Sequence, residues 1–294
     1  MKHVFIINPN SGDNKKNHIE EKITDLCEEM KLDYKLFITG GPGEAERVAK
    51  SLEDDDTSIV YAVGGDGTVN EVLNGIAGSN HILSVIPTGS GNDFYRTLKT
   101  YKKDYVGADV GKINNRYFIN VACIGLDAEI ADNIYTIRKW PFVPTKQRYT
   151  VSTIYTFFKY KFKELQIKFG DYSKKGKFTI VTVCNGRYYG AGKKIAPHAF
   201  IDDSQFEIYI VDKTPKIRIP RLLLKLLKGE HENDSRVVRY TDGSLEIISE
   251  DPVVCNVDGE RMYDDHFKIE LIRNAIMVHR NVDFLEALGI EDDD

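Results

Sequence analysis

The chain has 294 residues, 41% hydrophobic and 29% charged, with a net charge of −5, which is enough to bury a substantial core and to build two domains. The balance of charge gives no reason to expect nucleic acid as a partner. Cys27, Cys123, Cys184 and Cys255 stand apart in apolar surroundings, a pattern of reduced core thiols in a cytoplasmic protein rather than of zinc ligands or disulfides. The opening MKHVFIINPN has no signal-peptide apolar region, and no apolar run approaches the ~20 residues that cross a bilayer, so membrane contact is expected only from the side.

Residues 3–7, HVFII, read as a buried strand ending in the turn Asn8-Pro9-Asn10-Ser11-Gly12. Ile19, Ile23, Leu26, Cys27 and Met30 share one face of a helix expected from about Asn14 to Lys31. A strand over Tyr34 to Thr39, the loop Gly40-Gly41-Pro42-Gly43 and a helix over Glu44 to Leu52 follow, with Glu46 and Lys50 spaced to pair on that helix.

The β-branched run Ser58 to Val63 then breaks at Gly64-Gly65-Asp66-Gly67 into a helix expected from Thr68 to Ala77. Glycines there permit positive φ and close approach of a ligand, and the helix N-terminus beyond them suits an anion such as phosphate. A carboxylate among phosphate oxygens is repelled unless a cation lies between them, so Asp66 hints at magnesium. As plain turn chemistry, Thr68 and Glu71 form a capping box. A fourth strand, Ile82 to Ile86, ends at PTGSGNDF, Pro87 to Phe94. The alternation predicts an α/β domain with a doubly wound, mostly parallel sheet. Its three glycine-bearing loops, NPNSG, GGDGT and PTGSGNDF, all fall at the carboxyl edge where such sheets bind ligands, and together they signal a nucleotide site.

Past Asp109, strand-like runs take over: Tyr117 to Val121, Phe178 to Cys184, Phe206 to Val211, Leu245 to Ile248, Val253 to Val257, Phe267 to Ile272 and Ala275 to His279. They predict a β-rich antiparallel sandwich or barrel-like second domain, interrupted by one helix over Pro220 to Lys228. The expected boundaries are 1–115 and 116–280, with 281–294, an amphipathic helix over Val282 to Leu288 and a frayed Glu291 to Asp294, placed to pack back on the first domain.

Set side by side, Asn8 to Gly12, Gly64 to Gly75, Pro87 to Phe94, Asp109-Val110-Gly111 and Asp258-Gly259-Glu260 resemble, in the same order, the motifs of the diacylglycerol kinase catalytic-domain family. GGDG alone is shared with NAD kinases and phosphofructokinases; the later PTGSGNDF departs from the NAD kinase pattern. The resemblance implies transfer of the γ-phosphoryl of ATP to a lipid hydroxyl, which needs positioning, a metal and a base. It implies nucleotide contacts at Asn8, Pro9, Asn10, Ser11, Gly12, Thr39, Gly65, Asp66, Gly67, Thr68, Val69, Asn70, Glu71 and Ser90. It places Asp66, Asp93 and Asp109 around Mg2+ through water, with Glu260 as general base and Asp258 as the fallback. A structural magnesium is implied at Phe200, Asp203 and Gln205, where Ser204 replaces the family's usual glycine. Read without the resemblance, Asp93 caps a short helix, Asp109 is a turn residue, Asp258-Gly259 is a hairpin dipeptide and 197–206 is a polar turn.

From Arg138 to Lys177, basic residues, among them Lys146, interleave with Trp140, Phe142, Tyr149, Phe157 and Phe158, and the helix at Pro220 adds Arg221, Lys225 and Lys228 beside a run of leucines. This suits the interface of an anionic membrane; a solvated basic face over an aromatic core accounts for it equally. The expectation is a cytoplasmic, ATP- and Mg2+-dependent lipid kinase, docked peripherally on the inner membrane face, acting on diacylglycerol or a similar lipid alcohol, with homodimerisation left open. The rival readings are a kinase of the same fold with a soluble acceptor, NAD kinase-like, and a catalytically silent nucleotide-binding lipid sensor.

Overall fold

Alternate residues of a strand face opposite ways, and the first strand, β1 (Lys2–Ile7), uses this to enter two cores at once. Val4 and Ile6 join one cluster, with Ala45, Ala49, Val72 and Leu73, while Phe5 and Ile7 join another, with Ile23, Cys27, Phe284 and Leu285. Both faces of this strand are therefore covered, as a parallel layer demands. The structure, a computed structural model, describes residues 1–12, 18–53, 56–144 and 147–290, and the side chain of Leu227 is not described. The expected helix start at Asn14, Lys146 and the tail Glu291 to Asp294 lie outside these residues.

In chain order the first half comprises β1, α1 (Ile19–Glu29), β2 (Tyr34–Ile38), α2 (Glu44–Lys50), β3 (Ser58–Gly64), α3 (Asp66–Ile76), β4 (Ile82–Pro87) and α4 (Asp93–Leu98). Strands β2, β1, β3 and β4 pair in parallel in that order. Phe5 stacks on Tyr61 at 4.2 Å between centroids, a pair worth ~1 kcal/mol beyond its buried area.

Next come β5 (Tyr105–Ile113), β6 (Arg116–Phe118), β7 (Val121–Gly125), α5 (Leu126–Ile137), α6 (Arg148–Lys159), β8 (Glu164–Phe169), β9 (Tyr172–Cys184), β10 (Tyr188–Tyr189), β11 (Lys193–Lys194) and β12 (Phe206–Asp212). The chain continues with α7 (Ile219–Leu227), β13 (Val237–Asp242), β14 (Ser244–Val257), β15 (Glu260–His279) and α8 (Val282–Ala287). Apart from the short β10–β11 pair, the described strands belong to a single sheet. In its second half the pairing is antiparallel, with β7 and β8 end to end in the gap between β9 and β14. The mostly parallel arrangement thus holds for the first four strands, and the sheet as a whole is mixed.

Three features depart from the sequence reading. Where strands and one helix were expected, α5 and α6 add two more helices. The two runs Phe267 to Ile272 and Ala275 to His279 are parts of β15, a 20-residue strand. It pairs antiparallel with β14 and then β5, shifts register between Ile272 and Ile276, and ends parallel to β4. Asp109 lies inside β5 rather than in a turn. Helix α8 packs Phe284 and Leu285 against Phe5 and Tyr61.

Candidate active site

The loops after β1, β3 and β4 meet at a cleft of about 820 Å³. Their glycines are there for close contact rather than for unusual backbone angles: Gly65 sits at φ −95°, and Gly64 and Gly67 are likewise outside the left-handed region. A Cβ at Gly89 would overlap the Cα of Gly65, and one at Gly64 would overlap the Thr68 side chain. Gly12 does need its angle, φ +50°, and a Cβ there would run into the Thr88 carbonyl. Gly67 differs: a Cβ would meet no protein atom within 4 Å, and the residue lines the cleft. The interlocked loops leave that one glycine facing open space, where a ligand can approach the backbone.

No side chain caps α3, whose N-cap is Gly65, so the expected capping box does not form. Glu71 instead accepts the amides of Gly43 at 2.9 Å and Ala45 at 3.1 Å, fastening α3 to the start of α2. Thr68 Oγ1 accepts from Asn8 Nδ2 at 3.3 Å, joining the first loop to the second, and Thr39 Oγ1 donates to the Ile7 carbonyl at 3.2 Å.

Of the residues expected to meet nucleotide, Asn8, Asn10, Ser11, Gly12, Thr39, Gly65, Asp66, Gly67, Thr68, Glu71 and Ser90 line the cleft. Pro9, Val69 and Asn70 do not. Pro9 turns toward His18 and Ile19. Val69 is 2% exposed among the core of the first half, because a helix starting at Asp66 points that position inward. Asn70 is buried and donates to Asp258 Oδ2 at 3.2 Å.

The three aspartates divide. Asp66 and Asp93 line the cleft together. Asp66 Oδ1 accepts the Phe94 amide at 3.1 Å, and Asp93 accepts the amides of Ala191 at 3.1 Å and Gly192 at 2.6 Å. Burial raises the Asp93 pKa, opposed by those amides and reinforced by neighbouring Asp66. Asp109 does not reach the cleft lining. It is 2% exposed, and its two oxygens accept the amides of Ser204 at 2.7 Å and Asn274 at 2.8 Å.

Asp258 and Gly259 are both left-handed, at φ 49° and 93°, and connect Val257 to Glu260 as a two-residue hairpin loop; this is the angle pattern of a type I′ turn. The Asp258 carboxylate is enclosed and accepts from four donors: the amides of Ile119, Asn120 and Val121 at 2.7, 3.0 and 2.8 Å, and Asn70. Burial pushes its pKa up to about 6 against the pull of those donors. Asp258 also lines the cleft, but with its lone pairs committed it has little capacity left for a substrate proton, which favours Glu260 over it as the base. Glu260, one turn residue further on, lines the cleft with 47% of its side chain exposed. Burial raises its pKa, Arg116 opposes the shift, and Glu71 and Glu46 add to it.

At the proposed second metal position, Ser204 takes φ 63°, the left-handed angle for which glycine is the usual choice. Asp203 Oδ1 accepts the Gln205 amide at 3.1 Å, and Phe200 lies under Arg187 at 4.3 Å. Among the described residues no group of three His, Cys, Asp or Glu side chains is placed to hold a metal.

Tyr135 of α5, Arg138 just past its C-terminal end and Ala191 also line the cleft. The basic-aromatic composition had drawn Arg138 toward a membrane role, and only the fold brings it opposite the glycine loops. A second cavity, about 390 Å³ and largely apolar, lies between the sheet and helices α5, α6 and α7, lined by Ile130, Tyr149, Ile180, Ile195, Leu223 and Leu226 among others. Asp127 and Lys193 give it a polar end; burial raises the Asp127 pKa, opposed by a hydrogen bond from Tyr189 and by Lys193.

A glycine-loop α/β layer joined through one sheet to an antiparallel layer does not by itself define an activity, and comparison with known proteins supplies the class. The model of the diacylglycerol kinase catalytic domain matches residues 2–117, and that of the YegS C-terminal NAD kinase beta sandwich-like domain matches 120–280. The chain belongs to the diacylglycerol kinase catalytic-domain family, in the form that carries this C-terminal domain, and it is a kinase. A diacylglycerol kinase of Bacillus subtilis (strain 168) is 27% identical over 278 residues, 87% of this chain and 88% of that one. One of Staphylococcus aureus (strain MRSA252) is 28% identical over 296 residues, 95% of this chain and 90% of that one. A crystal structure from Bacillus anthracis str. Sterne shares the fold, with a TM-score of 0.76 at 24% identity over 95% of both chains.

Proposed function

We propose that this kinase transfers the γ-phosphoryl group of ATP, with Mg2+, to the hydroxyl of diacylglycerol or a similar lipid alcohol. The observation that carries the lipid reading is that the apolar cavity and the polar cleft share elements. Helix α5 lends Ile130 to the cavity and Tyr135, with Arg138 just past its end, to the cleft, and the segment 189–193 lends Tyr189 and Lys193 to one and Ala191 to the other. An acyl chain in the cavity thereby brings a headgroup toward the cleft, and burying each CH2 is worth ~0.8 kcal/mol.

In this reading the loop amides around Ser11, Gly12, Gly65, Gly67 and Ser90 cradle the phosphates. Magnesium, when bound, neutralises their charge; Asp66 and Asp93 suit it as carboxylates that orient coordinated water. Asp109, the third aspartate of the expected magnesium constellation, holds the Ser204 and Asn274 amides away from the cleft lining. A further cation at the 200–205 turn would be held by Asp203 with the carbonyls of Phe200 and Gln205. Glu260 accepts the proton of the lipid hydroxyl as its oxygen bonds to phosphorus and the bond to the ADP oxygen breaks. The division of labour follows the expected domains, 1–115 for nucleotide and 116–280 for lipid, with 281–294 returning to the first.

The working surface is the cytoplasmic face of a membrane. Phe142, Phe158, Ile217 and Leu224 are exposed by 93, 74, 87 and 59%, and Lys216 Nζ donates to the Phe158 carbonyl at 3.0 Å, linking the end of α6 to the segment that leads into α7. Lys159, Lys216, Arg218 and Arg221 add positive charge for anionic headgroups. No helix among the described residues is long and apolar enough to cross a membrane. The test is the purified chain with labelled ATP, Mg2+ and a panel of lipids in mixed micelles beside NAD, sugars and nucleosides. Label in diacylglycerol or a related lipid is expected; label only in a soluble acceptor sinks the lipid reading, and label in none leaves the silent sensor.

A further inference from the structure

We propose that Arg116 is a positioning residue for Glu260, a guanidinium bridge that ties this carboxylate to helices α2 and α3 and aims it into the cleft. The inference rests on the kinase reading above, in which Glu260 is the base. Arg116 Nη1 donates to Glu46 Oε2 at 2.5 Å, and Nη2 donates to Asn70 Oδ1 at 3.1 Å and reaches Glu260 Oε2 at 3.5 Å. A planar fork can serve three acceptors in fixed directions, where a lysine offers one compact charge. The bridge stands on a rigid base. Asn74 Oδ1 accepts the Tyr117 amide at 2.9 Å, and Asn70 and Asn74 both donate to the Tyr117 carbonyl, at 3.1 and 2.9 Å. Asn70 also holds Asp258, whose turn carries Glu260. The network therefore joins the nucleotide-side helices to the hairpin of the other half.

Charge makes the arrangement more than a strut. Arg116 from β6, Glu46 from α2 and Glu71 from α3 face Glu260, and Asp66, Asp93 and Arg138 line the same cleft. Glu46 and Glu260 compete for one guanidinium. Arg116 favours the ionised form of Glu260, while Glu46 opposes it. Removing Arg116 and neutralising Glu46 must then push Glu260 in opposite directions, whereas two equivalent members of a structural bridge would act alike.

The experiment measures kcat, KM and the pH profile of wild type, Arg116→Ala, Arg116→Lys and Glu46→Gln with a short-chain diacylglycerol, beside nucleotide affinity and circular dichroism. Arg116→Ala is expected to lower kcat about tenfold or more, with nucleotide affinity within about twofold, and to move the acidic limb to higher pH. Arg116→Lys recovers part of the rate, and Glu46→Gln moves the limb to lower pH. Unmoved limbs, or shifts of the same sign, in an active wild type overturn the positioning role while leaving the kinase reading standing. A wild type that phosphorylates no acceptor overturns both. Should Arg116→Ala fail to fold, Arg116→Gln, which removes the charge but keeps a hydrogen-bonding side chain, takes its place, and its upward shift against the downward shift of Glu46→Gln decides.

Discussion

Asp66 and Phe94 are joined across two loops: the Asp66 carboxylate accepts the Phe94 amide at 3.1 Å, fixing the turn after β3 to the start of α4. The same carboxylate lines the cleft beside Asp93. Asp66→Asn keeps an acceptor for Phe94 but loses the charge, whereas Asp66→Ala loses both. We expect turnover to fall about 100-fold or more in each, with Asp66→Asn keeping the melting temperature and Asp66→Ala lowering it. Phosphate release at graded Mg2+, paired with calorimetry, checks both.

Glycines of one motif carry opposite predictions. Gly64→Ala drives a methyl into Thr68 and is expected to cost several kcal/mol, in the range of overpacked cores, about 1–3 kcal/mol or more. Gly67→Ala meets open space inside α3, where alanine gains up to about 1 kcal/mol of helix propensity. Its methyl stands where the phosphates are proposed, so stability holds or rises while nucleotide affinity falls. Urea denaturation and nucleotide titration separate the two effects.

Glu260 must be ionised to accept a proton, and burial raises its pKa. Activity should therefore fall as pH drops, with the acidic limb above the ordinary glutamate value of about 4.3. Glu260→Gln should abolish that limb and lower kcat about 100-fold, with nucleotide binding retained. Full activity in Glu260→Gln would move the base to Asp258, which lines the same cleft while accepting four hydrogen bonds, or elsewhere.

For the lipid side, Leu223→Trp fills the apolar cavity. It should raise KM for a long-chain diacylglycerol about tenfold and leave nucleotide affinity unchanged. Phe158→Ser with Ile217→Ser removes exposed apolar surface and should weaken sedimentation with anionic vesicles, while phosphorylation of a soluble short-chain lipid persists.

Asp234 anchors α7, the wall of that cavity, through Lys225 at 2.9 Å and is itself held by Arg236 at 2.7 Å. Hydrogen bonds from Arg236 and Lys225 hold its pKa well below the usual carboxylate range. A depressed carboxylate stabilises the fold above its unfolded pKa of about 3.9, and that stability is lost as pH falls through the folded value. Asp234→Asn should be less stable than wild type at neutral pH, with the gap closing as acid protonates the wild-type carboxylate.

The βα alternation was legible because HVFII, SIVYAV and ILSVI are short apolar runs closed by glycine turns, and their loops do converge. Helix α6 was hidden by its own residues: RYTVSTIYTFFK is rich in β-branched and aromatic side chains that favour strands. Strand β5 was missed because Gly107 and Gly111 interrupt it, yet Gly111 is required, since a Cβ would enter the Phe118 ring. The left-handed pair Asp258-Gly259 was readable as a turn, but the four donors that saturate Asp258 arrive from residues 70 and 119–121. Local pattern cannot reveal partners so distant in sequence. Arg116 escaped notice for the same reason.

Strand β15 has a consequence for dissection. It begins at the hairpin carrying Glu260, crosses the antiparallel layer and ends as the neighbour of β4, with α8 following it under Phe5. A fragment ending near residue 117 would lack the strand that covers β4 and the helix that seals β1, leaving a bare edge and an open apolar face. Neither half is therefore expected to fold alone as a separate module, although the motifs divide between them. Co-expressed fragments, if they assemble, should do so through this strand, and a chain cut within β15 should be the hardest to reconstitute.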